Sequence, residues 1–275
     1  MIRFSIITPS FNMLNYLKRC SASVNDQQGV HKEHIIVDGG SKDGTVDWLK
    51  NNFKSGKYII ESDSGMYDAI NKGIECSSGD LIAYLNCDEQ YLPNSLRIID
   101  DYSLKYPNAD VYHGNMLVID DNGKLISFKK SLNARFNYLK YGSSYIYSCA
   151  TFFRRNLFEK YKFNSQLKSL GDIDLYLKLL SAGKNFIHIN EYISVFTKTG
   201  NNLSSNAMFM EEYKLIPLSS YGKSYFTSNL YDLLKKIEKL KKGAYFQEFP
   251  LRYQIYLDPM AIKRETIEAK EAASF

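Results

Sequence analysis

Through its first half the chain alternates short apolar runs with helical patterns, and every run stops at a turn or a polar cluster. Strand candidates are Phe4 to Thr8, His34 to Asp38, Lys57 to Glu61 and Leu81 to Leu85, with helical patterns near Leu14 to Val24, Thr45 to Asn52 and Met66 to Cys76. Repetition of this kind predicts an α/β fold, a mixed, mostly parallel sheet flanked by helices. Pro93 stands where a first helical position would be and opens a further helix to about Lys105. Val111 to Asp120 and Lys124 to Phe128 flank Asp121-Asn122-Gly123, a hairpin turn that makes the sheet mixed. Further on, Cys149 to Phe153 reads as a strand and Asp172 to Ala182 as a buried helix ended by Gly183; Lys184 to Ile189 and Ile193 to Phe196 read as two more short strands. From about Leu203 the pattern becomes helical and charged, which places a soft boundary near Asn206.

The length of 275 residues allows one large domain with an appended arm. With 35 Lys and Arg against 30 Asp and Glu, the formal charge of +5 suits an anionic small molecule or a membrane surface and by itself is only a weak argument for nucleic acid, which is not expected as a partner. Cys20, Cys76, Cys87 and Cys149 are far apart, without CxxC spacing or a nearby histidine set, so neither a zinc site nor a disulfide framework is expected, and a reducing cytoplasm is the simplest home. His31 and His34 read as surface or strand-end histidines. No run approaches 18 apolar residues, and the N-terminus enters its first strand without a charged-then-apolar region, so neither a signal peptide nor a membrane span is expected.

Ligands of open α/β sheets bind beyond the carboxyl ends of the parallel strands. Those ends carry Thr8-Pro9-Ser10-Phe11-Asn12, Asp38-Gly39-Gly40-Ser41, Glu61-Ser62-Asp63-Ser64-Gly65 and Asn86-Cys87-Asp88-Glu89. One such polar residue is more often a turn former or cap; four in succession favour a site. The stretch Asp38 to Gly44 lacks both GxxxxGK[ST] and GxGxxG spacing, so neither an ATPase loop nor a dinucleotide loop is supported. Asp38 can instead accept hydrogen bonds from a base or ribose. Asp88 beside Glu89 offers hard oxygen ligands for Mg²⁺ or Mn²⁺ on a diphosphate.

Four ordered motifs resemble glycosyltransferase family 2, the inverting GT-A-fold enzymes, and within it the capsule, O-antigen and colanic-acid-type bacterial members. They are Ile6-Ile7-Thr8-Pro9-Ser10-Phe11-Asn12, Ile36 to Thr45 (IVDGGSKDGT), Asp63 to Gly73 (DSGMYDAINKG) and Leu85-Asn86-Cys87-Asp88, and the resemblance covers about the first 205 residues. It implies that Thr8, Pro9, Asn12 and Asp38 line a nucleotide pocket, usually for uracil, together with Tyr67, Asp68, Asn71, Asn86 and Cys87. It also implies that Asp88 binds the divalent cation, with Asn86 standing where the family's DxD motif begins. Asp172, in Gly171-Asp172-Ile173-Asp174, corresponds to the family's catalytic base; read alone it is as well explained as a helix cap. Two departures stand out: Ile70 occupies a position where many relatives have Arg, and Ser148-Cys149-Ala150 falls where related enzymes often show His-Gln.

The implied reaction is transfer, with inversion, of a sugar from a nucleotide-diphosphate donor, a UDP-sugar, to a saccharide or lipid-linked saccharide acceptor in bacterial surface polysaccharide synthesis. Residues 1–205 form the transfer domain and 206–275 a helical extension. Thr197 to Asn202, rich in turn formers, is a candidate lid over the donor. Leu230, Leu233, Leu234, Ile237 and Leu240 follow helical spacing, with Lys235, Lys236, Lys239 and Lys242 on the other side. Such a helix can lie on anionic lipid at the inner face of the cytoplasmic membrane; packing on its own domain or on a second copy of the chain is the commoner use. Two rivals are a nucleotidyltransferase, for which Thr8 to Asn12 lacks the Gly-rich basic loop, and a non-catalytic nucleotide-sugar-binding module.

Overall fold

The structure, a computed structural model, describes residues 2–141, 144–200, 212, 215–216 and 225–272. The first four strands are β1 (Arg3–Ser10), β2 (His31–Asp38), β3 (Lys57–Ile60) and β4 (Leu81–Tyr84). They pair in parallel in the order β3-β2-β1-β4. Their connections carry α1 (Leu14–Asn25), α2 (Thr45–Asn51) and α3 (Met66–Glu75), each within a residue or so of its periodicity. Alternate side chains explain why these strands are apolar throughout. Phe4, Ile6, Leu81 and Ala83 enter one core, while Ile7, Ile82 and Tyr84 enter the core on the opposite face, so both faces are covered. Gly73 lets α3 approach β1, since a Cβ there would stand 2.5 Å from the Ile7 side chain.

Beyond β4 the sheet turns antiparallel. β5 (Glu89–Tyr91) and α4 (Ser95–Lys105) precede the hairpin of β6 (Val111–Ile119) and β7 (Leu125–Lys129). Its turn is held by Asp120 Oδ1, which accepts from Asn122 N and Lys124 N. After α5 (Phe136–Tyr141) comes β8 (Thr151–Arg154), antiparallel to both β4 and β6, and then α6 (Gly171–Ser181). The two short strands expected between residues 184 and 196 are one twelve-residue strand, β9 (Phe186–Thr197), parallel to β6 and antiparallel to β5. Register shifts on either side of Asn115 absorb the polar Asn190-Glu191 break that the apolar pattern reads as a gap. The resulting order is β3-β2-β1-β4-β8-β6-β9-β5, with β7 on β6.

The soft boundary near Asn206 lies outside the described residues. The tail contains the helix α7 (Tyr225–Lys241), but its last part is an antiparallel ribbon of β10 (Leu251–Ile255) and β11 (Glu265–Ala269), which the expectation of a helical extension did not contain. Tyr253, Ile255 and Ala269 pack against Leu117, Ile119, Leu125 and Val195 of the main sheet. Arg264 fastens the ribbon to the first helix: its fork meets both oxygens of Asp26 at 2.6 and 2.7 Å and donates to Tyr91 O at 2.7 Å. Gln90 and Tyr256 exchange two further hydrogen bonds, at 2.9 and 2.8 Å. All four cysteines are free; Cys76, at the end of α3, is exposed and the other three are buried. Among the described residues no helix is long and apolar enough to cross a membrane.

Candidate active site

The carboxyl ends of β1 to β4 open on a cleft of about 1220 Å³. Its wall is built from the loops that the sequence singles out: Pro9 to Asn12 after β1, Gly39 after β2, Ser62 to Gly65 after β3 and Asn86 to Glu89 after β4. Across from them stand the start of α6, with Asp172, and Ser144 with residues 146–149, while Met116, Phe196 and Thr199 close another side. Pro9, Asn12, Tyr67, Asn86, Cys87, Asp88 and Asp172 are therefore brought together.

Thr8, Asp38, Asp68 and Asn71 are not. Thr8 is buried, its Oγ1 2.9 Å from His34 Nε2, and His34 is a core residue rather than a strand-end one. The Asp38 carboxylate is turned into its own loop, where it accepts from Gly40 N (3.0 Å), Ser41 N (2.8 Å) and Ser41 Oγ (2.7 Å). Asn12, in the left-handed region at φ 52°, completes that arrangement by accepting from Lys42 N at 2.8 Å. Asp68 accepts from Ser64 N at 3.0 Å at the start of α3. Asn71 exchanges two bonds with the backbone of Phe163, at 2.9 and 3.2 Å. These four side chains shape the loops behind the cleft wall.

Asp172 lies in the first turn of α6, where its Oδ1 accepts from Ile173 N at 2.8 Å. Tyr67 Oη sits 3.4 Å from the same oxygen and accepts from Asp172 N at 3.3 Å. Gly171 makes room for that ring, since a Cβ there would stand 2.7 Å from it. Burial pushes the Asp172 carboxyl up to about 6, against the lowering effect of its hydrogen bonds. It is thus ionised at neutral pH but close enough to its pKa to take a proton. Asp174, half a turn on, points away from the cleft and pairs with Lys178 at 2.6 Å.

The Asn86–Glu89 corner is tight. Asn86 N donates to Glu89 Oε2 at 2.7 Å, Cys87 Sγ to Pro9 O at 3.3 Å, and Thr197 N to Asp88 O at 2.9 Å. Burial, and then the Asp88 carboxylate, drive the Glu89 carboxyl well above its ordinary value. The Asn86 Oδ1 atom is buried without a hydrogen-bond partner. An orphaned amide oxygen beside two carboxylates is a donor set that fits a hard divalent cation. Among the described residues there is no group of three or more His, Cys, Asp or Glu placed to hold a metal ion.

Residues 5–162, more than half of the chain, match the sequence profile of Glycosyl transferase family 2. The chain belongs to this family. Among relatives of this glycosyltransferase, the putative teichuronic acid biosynthesis glycosyltransferase TuaG of Bacillus subtilis is 28% identical over 74% of the chain and 81% of its own length. A PGL/p-HBAD biosynthesis glycosyltransferase of Mycobacterium bovis is 27% identical over 79% of the chain and 85% of its own length. In fold the glycosyltransferase resembles S. aureus TarS, residues 1–349, with a TM-score of 0.61 and 18% identity over 78% of this chain and 64% of that one. It thus spans less than two thirds of that TarS chain. The architecture is GT-A, as expected.

Several side chains in or beside the cleft are absent from the motif-based set. Asp63 and Glu89 line it, as does Lys168, whose Nζ donates to Ser64 O and ties the loop before α6 to the loop after β3. Glu212 accepts from Lys168 N, from Ser169 N and Oγ (2.8 Å each) and from Leu170 N (3.0 Å), fixing the loop that leads into Asp172. Position after a strand flags Asp63 and Glu89 in the sequence, and Glu89 is read there as a cation ligand beside Asp88, although neither belongs to the set that the family resemblance implies. Nothing local distinguishes Glu212, 40 residues beyond Asp172.

Proposed function

We propose that this family member is an inverting transferase that moves a sugar from a UDP-sugar to a hydroxyl of a lipid-linked saccharide, in bacterial surface polysaccharide synthesis on the cytoplasmic side of the membrane. The observation that carries the reading is that Asp172 and the Asn86–Glu89 corner face one cleft. Two relatives named for teichuronic acid and PGL/p-HBAD biosynthesis support the pathway class, and a TarS structure in complex with UDP-GlcNAc supports the donor class. Residues 1–205 form the transfer domain in this reading, and 206–275 an appended extension.

Charge argues for a cation. Asp63, Asp88 and Asp172 line the cleft against one cationic side chain among the described residues, Lys168, and the donor diphosphate is itself anionic; Glu89, driven upward by burial, adds its charge when a cation lies beside it. Asn86 Oδ1, Asp88 and Glu89 would hold Mn²⁺ or Mg²⁺, which when bound neutralises charge on the departing diphosphate. A fold neighbour, the mannosyltransferase PcManGT of Pyrobaculum calidifontis, has been solved with GDP-Man and Mn²⁺.

Pro9 and Asn12 border the nucleotide, with Tyr67, Asn86 and Cys87 deeper in the wall. In the reacting step the acceptor oxygen bonds to the anomeric carbon as the bond from that carbon to the diphosphate oxygen breaks; Asp172 receives the acceptor proton. Tyr67 orients Asp172, and the Thr197–Gly200 stretch borders the cleft through Thr199. Asn201 and Asn202 of the candidate lid lie outside the described residues.

The test uses a panel of UDP-sugars with Mn²⁺. Asp172→Asn should lower turnover by about 10²–10⁴-fold while UDP binding persists. Retained turnover would reassign the base. Asp88→Ala should abolish the Mn²⁺ dependence of UDP binding, and an unchanged titration would remove Asp88 from the cation site.

A further inference from the structure

α7 faces the opposite way from a helix that buries its leucines in its own protein. Its inward side is polar and aromatic. Tyr231 stacks on Tyr141 of α5 with ring centroids 5.0 Å apart and accepts from Asn137 Nδ2 at 3.0 Å. Glu238 accepts from Tyr138 Oη at 3.0 Å and pairs with Arg135 at 3.3 Å, and Lys235 is 5% exposed. The apolar stripe points outward: Leu230, Leu233, Leu234, Ile237 and Leu240 are between 39 and 55% exposed. At about 100° per residue these five cover an arc of roughly 120°. Just past the helix, Phe246 is 66% exposed.

The exposed charge beside the stripe has one sign and comes from Lys236 and Lys241, since Lys235 is buried on the inward side and Lys242 pairs with Glu238. Residues 225–246 contain five lysines, Lys235, Lys236, Lys239, Lys241 and Lys242, against Asp232 and Glu238. Both acids are engaged within the protein, Asp232 with Lys235 at 2.8 Å and Glu238 with Arg135 and Lys242. Lys239 is turned toward the protein: burial first, then the neighbouring Lys235 and Lys129, pull it down to about 8, so it is not part of the outward face. Leucines flanked by lysines complement a surface that is apolar below and anionic above. A second copy of the chain fits less well, since a twofold contact would set this cationic face against itself. A nucleic acid would engage the lysines and leave the leucines in water.

We infer that the outward face of α7 docks on an anionic membrane surface, with the leucine stripe at the headgroup–acyl boundary and the flanking lysines among the phosphates. The position suits the purpose. α7 packs on α5, and Ile146 and Tyr147 of the cleft wall follow α5 in the sequence by five and six residues. An acceptor held in the same bilayer would arrive beside the site. That purpose rests on the lipid-linked reading above; the docking itself does not.

The experiment is co-sedimentation of the full chain with phosphatidylcholine vesicles, with or without phosphatidylglycerol. The protein should pellet with the anionic vesicles, about tenfold more than with the neutral ones, and high salt should release it. Leu233→Glu with Ile237→Glu should reduce the bound fraction about tenfold, Leu233→Ser with Ile237→Ser should reduce it less, and Lys236→Glu with Lys241→Glu should remove the preference for anionic lipid. UDP with Mn²⁺ should raise the melting temperature of every variant as in the parent, which shows that the cleft is intact. Absence of pelleting with anionic vesicles, or pelleting indifferent to all three variants, overturns the inference. So does a dimer, seen by light scattering, that Leu233→Glu with Ile237→Glu splits while no vesicle binding is found. Failure at the vesicles leaves the UDP response in place, whereas failure of the transfer reading appears as loss of that response.

Discussion

Asp172 and Asp174 stand two residues apart on one helix and meet different surroundings, one at the cleft and one paired with Lys178 on the far side. The ionised form of Asp172 is the one able to accept a proton, and its carboxyl is pushed up to about 6 by burial. We expect kcat/KM to rise with pH through about 6 and then level, because that profile follows ionisation in the free enzyme. Tyr67→Phe removes a hydrogen bond to the carboxylate and should move this limb upward. Glu212→Gln removes a negative neighbour and should move it downward, with a stability loss of about 1–3 kcal/mol, because an amide oxygen cannot serve the four donors that the carboxylate holds. Stopped-flow or initial-rate profiles of the two variants check both directions. At this scale the sequence is ambiguous for a physical reason. Asp38, Asp68 and Asn71 are the residue types that bind ligands and also the types that close turns and cap helices, and here their oxygens go to nearby backbone N–H groups.

Periodicity located β1 to β4 and α1 to α3 closely because each carries a complete two-sided or one-sided apolar pattern. It split β9, where Asn190 and Glu191 interrupt the apolar run but the β6 register accommodates them. It passed over the ribbon, whose strands are short and alternate among exposed charges. The ribbon stays in place through few groups, and Arg264 is the most connected of them. Arg264→Ala should cost about 2–4 kcal/mol, at the low side of a buried pair because Asp26 keeps partial solvent access. Denaturant unfolding measures the loss, and hydrogen exchange should rise over residues 251–269. An unchanged midpoint would place the ribbon's attachment in its apolar contacts with β6 and β7.

Across the whole molecule the charge is divided: a formal +5 overall, with carboxylates gathered at the cleft and lysines along α7. The excess of acid where an anionic donor must sit makes donor binding dependent on a cation. Chelation should therefore abolish the rise in melting temperature that UDP produces, and added Mn²⁺ or Mg²⁺ should restore it, a result differential scanning fluorimetry reads directly. The family motifs made the catalytic face legible because they lie at consecutive strand ends. The outward turn of α7 was not legible, because spacing gives the stripe but not the side that meets the protein. The free thiols have a practical consequence. Cys20 lies in the core, Cys87 and Cys149 border the cleft but are only 3 and 2% exposed, and Cys76 is exposed, so a maleimide dye should attach first at Cys76 of the unaltered chain. That fluorophore would report on donor or bilayer encounters by energy transfer, without engineered substitutions.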